Sequence, residues 1–218
     1  SHADKLAELV SMWWDEAETY NVLPVTNIPI VGMDTRYRRT SYSFLPGIGT
    51  IPQIVAPNLA ARPWRIHAEF DVPDEGASGA VIVHGSHAGG YIAYVRDGRL
   101  FFDYNHLGRD LTSIGAEVRL PPGPSVGRIV FTPDPIGGGD IELFYGDVPV
   151  GSGHIPATTP VTFGFHGMTV GHQHGSAVST GCDGKSAFTA GALKRVVIET
   201  ERRRRDPVTD DRLGLAVQ

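Results

Sequence analysis

Leu6, Leu9, Val10, Trp13, Ala17 and Tyr20 recur at three- and four-residue steps, while Asp4, Lys5, Glu8, Asp15, Glu16 and Glu18 fall largely on the other side. That period predicts one amphipathic helix over 5–20, followed by an extended segment that reaches Pro24. Trp14 lies about 100° round the helix from Trp13 and widens the apolar stripe beyond what one contact surface needs. Two uses compete for this face. It either packs across the outside of its own domain or meets a partner.

After Tyr37 the period shortens from 3.6 to 2. In WRIHAEFDV (64–72), Trp64, Ile66, Ala68 and Phe70 alternate with Arg65, His67, Glu69 and Asp71, so one face is buried and one is wet. GAVIVHG (79–85) is apolar throughout and suits a central strand. In YIAYVRDGRLFFDYN (91–105), Asp97-Gly98 is the two-residue turn of a hairpin, because both central positions need positive φ. That register pairs Val95 with Leu100, Ala93 with Phe102 and Tyr91 with Tyr104 on a core face, with Arg96 and Arg99 outside. The opposite face carries Ile92, Tyr94, Phe101 and Asp103 and reads as partly covered or shallowly concave. Further strands are expected at 38–45, 116–120, 127–133, 140–146, 148–155, 160–167 and 188–200. About a dozen strands with turns every 8–12 residues predict an all-β, antiparallel two-sheet sandwich with one N-terminal helix. The expected division is a connector over 1–36, a sandwich over 37–200 and a charged tail over 201–218. Arg202 to Arg205 in that tail read as a solvated flank.

Composition narrows the function. The chain has 218 residues with 27 Gly and 16 Pro, which suits many tight turns rather than a helical protein. A net charge of -5 disfavours a nucleic-acid partner. No apolar run approaches the ~20 residues of a membrane span, and the opening residues do not read as a secretory signal. Cys182 is the one cysteine, which excludes an internal disulfide framework and points to a cytoplasmic location.

Nine histidines raise the question of a metal. His84 and His87 sit in HGSHAGG, and His166, His172 and His174 in FHGMTVGHQHGS. His172 and His174 would point the same way on a strand, but two ligands fall short of the three or four that zinc usually takes. Asp140 and Glu142 share a strand face, yet Asp140 closes a glycine loop, where a solvated acid needs no catalytic explanation. Cys182 stands near Lys185 without a nucleophile elbow or a local base. GIGT (47–50) is followed by proline, so it does not form a phosphate cradle.

WWDEAETYNVLPV, with Trp13, Trp14, Glu16, Ala17, Tyr20, Asn21, Leu23 and Pro24, resembles the segment that follows the catalytic domain in large bacterial arylsulfatases. The similarity continues through Tyr42, Pro46-Gly47, Ile51-Pro52, Ala56-Pro57-Asn58, GGYIAYVRDGRL (89–100), YNHLG (104–108) and FTAGALKRVVIET (188–200). It spans nearly the whole chain to about residue 200. The resemblance implies a concanavalin A-like jelly roll attached behind an alkaline-phosphatase-like sulfatase domain. It also implies a parent that hydrolyses sulfate esters with a formylglycine and a divalent cation such as calcium. Those catalytic parts are not expected here. Cys182 is followed by Asp183, Gly184 and Lys185, which does not match the C-x-P-x-R-type signature. TVGHQHGSAV (169–178) departs from the acidic pattern of the family.

The resulting expectation is a non-catalytic C-terminal accessory domain that braces the catalytic domain and shapes substrate access. Its partner face would be Trp13, Trp14 and Tyr20, and its partner the sulfatase catalytic domain of the same polypeptide. Apolar surface around Trp14, the loop 46–60 and the tail should then stay exposed or be covered by a second copy. The alternative is a free-standing lectin-like module with Tyr94, Phe101, Asp103 and Asn105 as its ligand face. An independent hydrolase is the third reading, which the missing motifs disfavour.

Overall fold

The computed structural model describes residues 2–19, 39–60, 62–159, 166–182 and 187–201. A helix, α1 (His2–Thr19), precedes eleven strands among these residues. They are β1 (Ser41–Phe44), β2 (Trp64–Val72), β3 (Gly79–Ser86), β4 (Gly89–Arg96), β5 (Arg99–His106) and β6 (Asp110–Gly115). Then come β7 (Gly123–Pro133), β8 (Gly139–Tyr145), β9 (Val148–Ile155), β10 (Met168–Val170) and β11 (Leu193–Thr200). The helix belongs to one compact unit and the strands to another, Arg36–Arg203. Tyr20, the segment 21–36 and the arginine run 202–205 lie outside the described residues.

The strands form two antiparallel sheets, a jelly-roll sandwich. One has six strands in the order β1-β11-β2-β7-β8-β9, the other five in the order β10-β3-β4-β5-β6. Between them lies the main core, with Trp64 at its aromatic centre. Its ring centroid is 5.3 Å from Phe131, 5.5 Å from Phe102 and 6.4 Å from Tyr91. Trp64 and Phe131 come from one sheet and Tyr91 and Phe102 from the other, so this cluster joins the layers.

The expected alternation of 64–72 is realised in β2, which pairs with both β7 and β11. The β4–β5 hairpin has the expected register, with Val95 opposite Leu100, Ala93 opposite Phe102 and Tyr91 opposite Tyr104. Asp97 (φ 52°) and Gly98 (φ 72°) form its turn, and Arg96 and Arg99 are exposed. Tyr104 is half-buried rather than fully inside.

One expected strand needs correction. Residues 116–120 are not a strand, because their amides bond to both sheets. Ala116 N–H donates to Leu100 O (2.8 Å) and Glu117 N–H to Val150 O (2.7 Å), so the segment closes the gap between layers. The strand that pairs with β5 is instead β6, reached through a turn in which Leu107 (φ 57°) and Gly108 (φ 70°) both take positive φ. Leucine is rare in that conformation, which hides the turn from a sequence reading. The expected strand 160–167 falls mostly outside what is described. Residues 160–165 lie outside the described residues, and the next strand, β10, begins at Met168. The first and last strands are also shorter than expected, at 41–44 and 193–200.

Candidate functional site

The outward face of the five-stranded sheet reads in the sequence as partly covered or shallowly concave, and in the lectin-like alternative as the ligand face. It is covered. Ile92, Tyr94 and Phe101 pack with Ala80, Val83, Val178 and Cys182 in a second apolar cluster, beneath the loop 171–182. Tyr94 is 1% exposed and Asp103 1%, so neither is available to a ligand in this conformation. The reason is a set of polar ties. Asp103 Oδ1 accepts from Ser113 Oγ (2.6 Å) and Oδ2 from Ser179 Oγ (2.5 Å), giving the buried carboxylate two partners. Asn105 Nδ2 donates to Val178 O (2.8 Å) and His87 O (3.2 Å), while its Oδ1 accepts from Gly108 N–H (2.7 Å). Arg96 lies over the Phe101 ring at 4.7 Å and donates to Gly181 O. Gly181 passes so close over Tyr94 that a Cβ would strike its hydroxyl. Burial, followed by the nearby Asp103 charge, pushes the Tyr94 phenol above its ordinary range.

The histidines are also redistributed. His172 and His174 lie in a bend rather than a strand, with His172 half-buried against Val170 O and His174 exposed. The convergence is elsewhere. His87 Nδ1 is 2.9 Å and His166 Nε2 3.1 Å from the same atom, Ser176 Oγ, and all three residues lie at the surface. Sequence reasoning flagged both histidines as motif members and missed the serine that joins them. Among the described residues no group of three or more His, Cys, Asp or Glu is placed to hold a metal ion. His84 is separate and buried on the inner face of β3, edge-on to Tyr91. Burial lowers its pKa to about 4, and neither ring nitrogen has a hydrogen-bond partner.

A cleft opens between the layers where Leu59, Trp64, Tyr91, Phe102, Tyr104 and Thr159 meet. It is small, with a volume of about 40 Å³. Tyr104 Oη bonds to Thr159 at its wall, and the buried Tyr91 hydroxyl has no partner.

Asp140 and Cys182, which the sequence reading sets aside as sites, lie apart from these groups. Asp140 is exposed and bonds His154 Nδ1 at 2.7 Å rather than acting with Glu142. Cys182 is buried in the second apolar cluster, and Lys185 lies outside the described residues. On α1, Trp13 and Trp14 are 40% and 43% exposed, with their rings edge to face at 4.8 Å. Leu6, Leu9, Val10 and Met12 are exposed beside them in sequence. In the sandwich unit, Leu45, Ile48 and Val55 are also exposed.

No protein-family model matches the chain, and no curated protein matches it in sequence. Similar solved structures include the CBM40 of the Ruminococcus gnavus IT-sialidase, bound there to alpha2,3 sialyllactose. It is 10% identical with a TM-score of 0.48, over 79% of this chain and 96% of that one. Domains LG4-5 of the mouse laminin alpha1 chain are 10% identical with a TM-score of 0.47, over 76% of this chain and 41% of that one. The binding domain of botulinum neurotoxin serotype D/C is 10% identical with a TM-score of 0.41, over 72% of this chain and 37% of that one.

Proposed function

We propose that this chain is a non-catalytic accessory module of a bacterial arylsulfatase, joined to the catalytic domain through its N-terminal helix. The observation that carries the reading is α1 itself. Six large apolar side chains on 18 residues, two of them tryptophans, are left exposed. Contiguous apolar surface of that kind marks an interaction site. The same segment carries part of the resemblance to the arylsulfatases. Leu45, Ile48 and Val55 add exposed apolar area on the loop that also carries family-like residues. The module would brace the catalytic domain and border its substrate entrance. The test is to make the parent protein with and without this region. The shortened enzyme should melt at a lower temperature and lose aryl sulfate turnover on storage. An unchanged midpoint and lifetime would remove the bracing role.

The cleft favours a second reading, a lectin-like module. Its wall offers aromatic side chains and two threonine hydroxyls, although at about 40 Å³ it has room only for the edge of a sugar. Glycan binding that is lost in Tyr104→Ala would support this reading, and binding indifferent to that change would exclude the cleft.

A further inference from the structure

We infer that the cleft between the layers is a slot for the acetamido group of an N-acetylated amino sugar. This deepens the lectin-like reading and rests on it. Size limits the occupant first. The cleft has a volume of about 40 Å³. A water molecule needs about 10–15 Å³, and engineered cavities of about 150 Å³ take a benzene ring. A sugar ring therefore stays outside, and only a substituent of a few heavy atoms enters. The lining limits it next. Trp64, Tyr91, Phe102 and Phe131 line the slot together with Leu59 and Ile155, and among the described residues no charged side chain does. A carboxylate or sulfate would enter without a counter-charge, which is strongly disfavoured. A methyl group instead leaves water for contact with the ring faces.

The polar wall selects what that methyl is attached to. Thr158 Oγ1 donates to Gly137 O at 2.8 Å, so its hydrogen is committed. The Tyr91 hydroxyl is buried and offers nothing to an entering group. Tyr104 Oη accepts from Thr159 N–H at 2.9 Å and shares one bond with Thr159 Oγ1 at 3.1 Å. The shared bond uses one hydroxyl hydrogen of the pair, whichever group donates it. The other hydroxyl hydrogen is left at the wall for an acceptor that the ligand brings. A carbonyl oxygen is such an acceptor. An acetamido group combines that carbonyl with a methyl, carries no charge and has only four heavy atoms. A bare sugar hydroxyl lacks the apolar part and would leave the aromatic side chains unfilled.

The test is saturation-transfer NMR on the whole chain with N-acetylglucosamine and, separately, with glucose. Millimolar binding of N-acetylglucosamine is expected, with the largest transfer at its acetyl methyl and at least fivefold less transfer to glucose. Ala60 also lines the slot, and Ala60→Leu should fill it and abolish that difference. Ala60 N–H donates to Asn58 Oδ1, a backbone bond that Ala60→Leu retains. Tyr104→Phe combined with Thr159→Val removes both hydroxyls of the pair and should weaken N-acetylglucosamine binding at least threefold. Thermal melts identify any variant that does not fold. Equal binding of the two sugars would overturn the slot and leave the lectin-like reading standing. Binding of neither at tens of millimolar would remove both. N-acetylglucosamine binding that survives both Ala60→Leu and the double variant would put the site elsewhere and overturn the assignment.

Discussion

His84 concentrates the cost of placing a titratable ring inside a sandwich. It is 2% exposed and its pKa falls to about 4, against 6.5 in the unfolded chain. Between those values the unfolded chain takes up a proton that the folded chain refuses, so stability is lost as pH falls from 6.5 towards 4. The full effect is about 3 kcal/mol. Thermal melts of wild type and His84→Leu across that range should show the slope shrinking in the variant. An equal slope would place the titrating group elsewhere. His84→Leu should itself cost little at pH 7, because it removes two buried nitrogens that lack partners. Phe102 is the opposite case, an apolar ring packed against Trp64 and Tyr91. Phe102→Ala should cost about 3–5 kcal/mol in urea unfolding. An unchanged midpoint would mean that the ring is not in the core.

At the scale of the element, the β4–β5 hairpin was readable because Asp97-Gly98 and strict alternation agree on one register. Strand β2 was readable for the same reason of period. The cover over Tyr94 and Asp103 was not. Its residues, GHQHGSAVST (171–180), have no hydrophobic period, and the bonds that hold it reach back 73 and 76 residues to Asn105 and Asp103. A local pattern cannot reveal such a partner, so the sequence left open whether this face is covered or concave. Asp103→Ala should free the cover by leaving Ser113 and Ser179 hydroxyls unpaired, at about 2–4 kcal/mol. Hydrogen exchange should then rise at the amides of 176–182. Protection equal to wild type would show that apolar packing alone holds the loop. Trp14 belongs to a different element and a different expectation. Trp14→Ser should change the stability of the isolated chain by less than about 1 kcal/mol, as exposed substitutions do. A larger loss in chemical denaturation would assign Trp14 to this chain's own core.

For the whole molecule, the sandwich was legible in its strand spacing, while the proposed role rests on α1 and on the resemblance read in the sequence around Trp13 and Trp14. The separate chain should turn over no aryl sulfate, since the residues after Cys182 depart from the nucleophile signature of that family. The most direct measurement is the affinity between this chain and a separately produced catalytic portion of the proposed arylsulfatase parent, by calorimetry. Micromolar or tighter association is expected, weakened at least tenfold by Trp14→Ser. No association at 100-fold higher concentration (about 100 μM), or equal affinity for wild type and Trp14→Ser, would contradict the proposed junction.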